Sequence, residues 1–309
     1  MVSFGQYSKQ VITTDSSSIE IIKDFPYSYI YRETLDNKDS VKITSYFAKD
    51  TTKIREKGWE KRNGKTIGIY KVYTIEGDLL YTKDYDTGNF TLNERYFPYH
   101  KTVAKVKKIA DSLIIANYSQ EFFDTNISSN FRIFAYDKEG NVDYVTIPMK
   151  TTPVEFDFSY NVRLWDFEWE DEIISVSLDN KGNITQTSGL EKLDTKNRIF
   201  TITREKSFLT AFDKGLGEKE TSEFLFWEKL DDTTNTLYDG QFRYYIAELI
   251  DLEEEIKTEK RSRKIHKYNV YSFNPWTGEF LEIKKMNRIS DMTNNAGFFT
   301  DLSPVKNKD

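Results

Sequence analysis

The sequence predicts a mainly β protein: antiparallel hairpin repeats, then a larger β-meander domain, with one short helix near residues 99–111. Three observations carry the prediction. Apolar and aromatic residues alternate with polar ones over short runs, the period of a half-buried strand. The runs are punctuated by Gly, in pairs such as Asn63-Gly64 and Glu76-Gly77, and Gly accepts the positive φ of a tight hairpin. Aromatic side chains make up 15% of the 309 residues, including 20 Tyr and 22 Phe, and such residues favour pleated surfaces.

Taken in order, residues 1–18 are polar, with Thr13-Thr14-Asp15-Ser16-Ser17-Ser18, and are expected to be loose. Residues 19–98 form the hairpin region. Ile19–Ile22, Tyr27–Thr34 and Ser40–Phe47 read as strands, with a break at Asp24-Phe25-Pro26. From Asn63 to Gly88, short Tyr- and Ile-bearing strands alternate with turns expected at Gly64, Gly77 and Gly88.

In this stretch, Asn63-Gly64-Lys65 is followed by Gly68, then Lys71-Val72-Tyr73, then Gly77-Asp78-Leu79, then Tyr85-Asp86-Thr87-Gly88. The order resembles the MORN-variant repeats of bacterial toxin–antitoxin and immunity proteins over residues 42–88, in about two copies. The first copy departs from the pattern, because Asp50-Thr51-Thr52 stands where a turn Gly is expected. The resemblance implies a non-enzymatic protein that binds and neutralises a toxin. A helix with a Phe-Pro entry follows the repeats in such proteins, and Phe97-Pro98 stands at that place here.

The connecting helix is read over residues 99–111. Val103, Val106, Ile109 and Ala110 fall on one face, while Lys101, Lys105, Lys107 and Lys108 are expected to be solvated. Residues 112–290 read as a β-meander domain, a sandwich, barrel or irregular propeller. Ser112–Tyr118 looks strand-like. Hairpins are expected at Phe131–Val142, Ile173–Ile184 and Tyr268–Ile283, and Ile115-Ala116 before the first parallels Ile246-Ala247 before the last. Tyr245–Lys267 fits a helix or a long charged hairpin; the parallel favours the hairpin. Residues 291–309 are polar and expected to fray.

The composition narrows the chemistry. Cysteine is absent, which removes disulfides, Cys-zinc sites, thiol catalysis and Cys lipidation. The net charge of −6 disfavours nucleic acid as a partner and suits a basic protein surface. No apolar run spans a bilayer. The first residues lack the charged head and apolar centre of a signal peptide, so the chain as written reads as cytoplasmic, or as periplasmic or secreted if a leader has been removed. His100 and His266 are the two histidines and have no metal-ligand spacing, so neither a metal nor another cofactor is expected. Neither a nucleophile elbow nor a phosphate loop is present.

The sharpest local feature is Leu164-Trp165-Asp166-Phe167-Glu168-Trp169-Glu170-Asp171. Strand alternation would set Trp165, Phe167 and Trp169 on one face and Asp166, Glu168 and Glu170 on the other. Asp166, Glu168, Glu170 and Asp171 then form a solvated face, a partner-binding surface or, at the spacing a glycosidase needs, a catalytic pair. Partner binding is the site reading adopted. Two other function classes stay open. Trp59, Trp165, Trp169, Trp227 and Trp276 offer rings for a carbohydrate-binding or glycoside-processing protein, and the β-repeats suit a structural or adhesive one.

Overall fold

The computed structural model describes residues 7–14, 17–24, 28–35, 39–62, 64–165, 172–191, 199–229, 240–258, 261–293, 296–299 and 303–304. The protein is mainly β, with three antiparallel sheets and no closed barrel among the described residues. The first sheet has eight strands in chain order: β1 (Tyr7–Thr13), β2 (Ser17–Asp24), β3 (Ser28–Leu35), β4 (Ser40–Phe47), β5 (Asp50–Lys61), β6 (Thr66–Tyr73), β7 (Leu79–Asp84) and β8 (Asn89–Leu92). The segment 1–18, expected to be loose, therefore carries β1, which runs in register with β2 from Tyr7↔Asp24 to Thr13↔Ser18.

The expected turns are present, and their hydrogen bonds show why the Gly is needed. In the β5–β6 hairpin the Lys61 N–H donates to Lys65 O and the Gly64 N–H to Lys61 O. The β6–β7 hairpin repeats this, with Thr74 N–H to Asp78 O and Gly77 N–H to Thr74 O. Closing this five-residue turn puts the fourth residue in the left-handed region, at φ 86° for Gly64 and 95° for Gly77. Between β4 and β5, where Gly is missing, the Asp50 carboxylate takes over, accepting the Thr52 N–H and hydroxyl at 3.0 and 2.6 Å.

The second sheet runs in the order β10 (Val142–Tyr144), β9 (Ile127–Tyr136), β11 (Glu155–Val162), β12 (Glu172–Asp179), β13 (Ile184–Ser188). The third is again in chain order: β14 (Thr221–Lys229), β15 (Gly240–Thr258), β16 (Arg261–Phe273), β17 (Phe280–Thr293) and β18 (Ala296–Phe299), with β19 (Ser303–Pro304) also pairing β17. Tyr245–Lys267 is thus a long hairpin and not a helix, and the hairpins at Phe131–Val142, Ile173–Ile184 and Tyr268–Ile283 are present. The tail expected to fray supplies the end of β17 together with β18 and β19.

Three helices occur among the described residues: α1 (His100–Asn117), α2 (Gln120–Asn126) and α3 (Arg204–Asp213). The predicted helix therefore runs six residues past Asp111, through the segment expected to be a strand. Its buried face Val103, Val106, Ala110 continues at helical spacing to Ile114, so this residue of the apolar run extends the stripe. Ile115-Ala116 is helical where Ile246-Ala247 is in β15, which ends the parallel drawn between them. Lys101, Lys105 and Lys108 are exposed as expected, but Lys107 is buried. Helix α2 is capped by Ser119, whose hydroxyl accepts the Phe122 N–H at 2.9 Å. No described helix is long and apolar enough to cross a membrane.

The chain divides into two compact units that are not contiguous in sequence: Met1–Ala110, Ser128–Ser159 and Val176–Gln186, and Asp111–Ile127, Tyr160–Ser175 and Thr187–Asp309. The first unit buries Ile43, Tyr70 and Leu92 from its eight-stranded sheet with Phe97, Val106, Phe156 and Phe158. The second buries Tyr118, Phe122, Phe242, Tyr244, Tyr245 and Phe273.

Candidate functional site

The acidic run Asp166, Glu168, Glu170 and Asp171 lies outside the described residues, as does Trp169. Its flank is described. Trp165 has φ 55°, a left-handed conformation that costs a bulky residue about 1–3 kcal/mol. Two features hold it there. The end of α2 clamps Arg163, whose N–H donates to Asn126 O at 2.7 Å while Asn126 Nδ2 donates to Arg163 O at 3.0 Å. The Trp165 ring meets Tyr244 edge-on at 5.2 Å. Beside it is a cavity of about 150 Å³, lined by Glu121, Thr125, Asn126, Leu164, Trp165 and Phe200 among others.

The inner carboxylates of the second unit are held by donors. The Glu191 carboxylate, among the buried residues, accepts the Trp276 indole N–H at 2.7 Å and the Phe242 N–H at 3.4 Å. Around it Tyr118 stacks on Trp276 at 5.7 Å, and Phe122, Phe200 and Phe242 close the cluster. Glu223 accepts a two-point contact from Arg204 and the Tyr244 hydroxyl at 2.8 Å. Burial, and then that bond to Glu223, push the Tyr244 hydroxyl well above its ordinary range. Glu228 accepts from Arg243 at 3.0 Å and from Lys284. Burial pushes its carboxyl up, but the Lys284 and Arg243 partners outweigh that, and it sits below the ordinary carboxylate value. Each of these carboxylates is thus held in place by two or more donors.

The first unit presents a different surface. Pairing across β4, β5 and β6 puts Lys42 beside Trp59, Trp59 beside Ile67, and Lys57 beside Lys71. Alternation places Ile69 and Tyr73 on the same face. Trp59 is 36% exposed and Ile69 54%. The opposite face carries the unit's core residues Ile43, Tyr70 and Leu92, and an ion ladder joining Lys9, Glu20, Arg32 and Glu60 across the strands. The sheet therefore has one face that covers core and one that is open.

The tryptophans read as sugar platforms divide accordingly. Trp276 is buried, with its N–H spent on Glu191, and the Trp227 ring lies on Gly240, where a Cβ would come within 2.4 Å of it. Trp165 is half-buried in its edge contact with Tyr244, so Trp59 is the described Trp most open to a ligand. His100 opens α1 with Nδ1 3.1 Å from Phe97 O, and His266 lies in β16. Sequence reasoning missed the Glu191 cluster, which joins residues up to 158 positions apart in the chain with no local motif, and it missed the lysine pair. The lysine pair is not set by the turn: the register at Glu60↔Thr66 and Trp59↔Ile67 would put Lys57 opposite Ile69, and the shift between Lys57 and Trp59 brings it opposite Lys71 instead. No protein-family model and no curated protein sequence matches the chain.

Proposed function

We propose that this chain is a non-enzymatic protein-binding protein of the immunity or antitoxin type, acting by occupying a bacterial toxin. The observation that supports binding is the open face of the eight-stranded sheet. Trp59 and Ile69 stand exposed there among lysines, and an exposed aromatic and aliphatic patch rimmed by charge is the composition of a protein interface. The toxin-directed part rests on the likeness of residues 42–88 to MORN-variant repeats. Asp166, Glu168, Glu170 and Asp171 form a second contact, for a basic surface of the partner.

The test is co-expression with the product of the neighbouring open reading frame. Co-purification and rescue of growth are expected; a neighbour that is neither toxic nor bound would sink the reading. The acidic contact has its own test, Asp166→Asn with Glu168→Gln and Glu170→Gln. Association should slow and lose salt dependence while the melting temperature holds. An unchanged association rate removes this run from the interface.

A further inference from the structure

On the open face, Lys57 of β5 stands directly opposite Lys71 of β6, and both side chains are exposed. Like charges at directly opposed positions destabilise a sheet. Among the described residues neither lysine is in an ion pair, although Lys42 on the same face pairs with Glu33 at 3.5 Å. The Lys57 ammonium instead lies 5.3 Å from the centre of the Tyr73 ring. Tyr73 in turn lines a groove of about 530 Å³ with Phe47, Ile75 and Leu80, and Lys49 stands at its wall, exposed and without an ion-pair partner among the described residues. Of two opposed cations, one thus lies over a ring that lines an apolar slot, and a third cation, Lys49, stands in the wall of that slot.

We infer that this face binds an acidic segment of a protein partner, whose carboxylates bridge Lys57 and Lys71 while an apolar side chain enters the groove at Tyr73, Ile75 and Leu80. The complementarity selects the occupant. A carboxylate between the two ammonium groups turns a repulsive pair into two attractive ones, and the groove wants an aliphatic or aromatic anchor. Nucleic acid fits less well, because three lysines on a chain of net charge −6 supply too few phosphate contacts. The inference rests on the protein-binding reading above, but it assigns that reading a place and a partner chemistry of opposite sign to the one met by the acidic run.

Full-length protein is titrated with fluorescein-labelled peptides: one rich in Asp and Glu with two Leu, one with Lys for every acid, and one with Ala for Leu. Oligo(dT) of similar length is the fourth probe. The acidic Leu peptide should bind, the Lys peptide should not, and the Ala version should bind more weakly. Lys57→Gln with Lys71→Gln should weaken the acidic peptide about tenfold, the combined size of two exposed ion pairs. The same double variant should melt at the wild-type temperature or above it, because a repulsion has been removed, so misfolding cannot imitate the result. Equal binding of the acidic and Lys peptides, tighter binding of oligo(dT), or full binding by the double variant overturns the inference. A toxin bound equally by wild type and double variant excludes this face and leaves the proposed function intact. Acidic-peptide binding lost in the double variant, with no toxin bound by either protein, supports the face and sinks the function.

Discussion

The eight-stranded sheet and the sheet of β14–β18 are both meanders in chain order, yet they are held together differently. Of the twelve largest fully buried side chains among the described residues, none comes from β1–β8, whereas Phe242, Tyr244, Tyr245, Tyr271 and Phe273 come from β15 and β16. The first sheet relies on its backbone ladder, its Gly turns and exposed ion pairs such as Lys9–Glu20, each of which contributes little. The second relies on aromatic burial at about 25 cal/mol per Å². The first sheet buries fewer large side chains on its core face, Tyr70 among them, and shows Trp59 and Ile69 on the other. On the proposed function, binding falls to the first sheet, while the heaviest aromatic burial is in the sheet of β14–β18.

The largest effect that could break this division is at Phe242, which is fully buried against Trp227, Phe200 and Trp276. Phe242→Ala should cost about 3–5 kcal/mol. Ile69→Ala, on the open face, should stay within about 0.5 kcal/mol. Urea unfolding of both variants decides it; losses of similar size would mean that the first sheet's open face is packed after all.

The next effect tests a device the two sheets share. In each, an aromatic ring lies flat on a strand glycine: Tyr70 over Gly58, where a Cβ would come within 2.1 Å of the ring, and Trp227 over Gly240 at 2.4 Å. Gly58→Ala and Gly240→Ala should each cost about 1–3 kcal/mol, because the ring must swing off the backbone. The cost should shrink when the ring is also removed, in Gly58→Ala with Tyr70→Leu and in Gly240→Ala with Trp227→Leu. Additive losses in the double variants would show that ring and glycine do not communicate.

The sheets were more legible in the sequence than the helices or the site. Period-2 alternation and Gly turns are local signals, and Gly64, Gly77 and Gly88 stand where expected with φ above zero. The Leu113–Ala116 run misled because a short apolar stretch has no period of its own; only its continuation from Ala110 to Ile114 marks it as helix. Helix α2 announces itself through Ser119 alone, and α3 even less, since its cap residue Thr203 makes no side-chain cap bond. The aromatic cluster at Glu191 and the groove at Tyr73 are made by tertiary packing and register, which no window of sequence contains.

The smallest effect concerns two copies of one turn, Asp137–Asn141 and Asp179–Asn183. Both Asp side chains cap the turn in the same way. Asp137 accepts the Glu139 and Asn141 N–H groups and Asn141 Nδ2; Asp179 accepts the Lys181 and Asn183 N–H groups and Asn183 Nδ2. The copies differ chiefly in the Thr151 hydroxyl, 2.6 Å from Asp137 Oδ2, against which Asp179 has only a small contribution from the Gly182 N–H. Donors that bind the ionised form lower a carboxyl pKa. The Asn141 side chain and then Thr151 hold Asp137 down at about 2, and the Asn183 side chain with its backbone lowers Asp179 as well. A depressed folded-state pKa gives stability that is present above the unfolded value of about 3.9 and lost as pH falls through the folded value. For Asp137 the loss therefore falls between about pH 4 and pH 2. Asp137→Asn should flatten the acid limb of the stability curve in that window. Carboxyl carbon shifts followed by NMR against pH should place the Asp137 midpoint below that of Asp179, and Thr151→Val should bring the two together. If Thr151→Val leaves the gap between them unchanged, the extra hydroxyl is not what separates the twin turns, and the difference must come from the backbone donors they were taken to share.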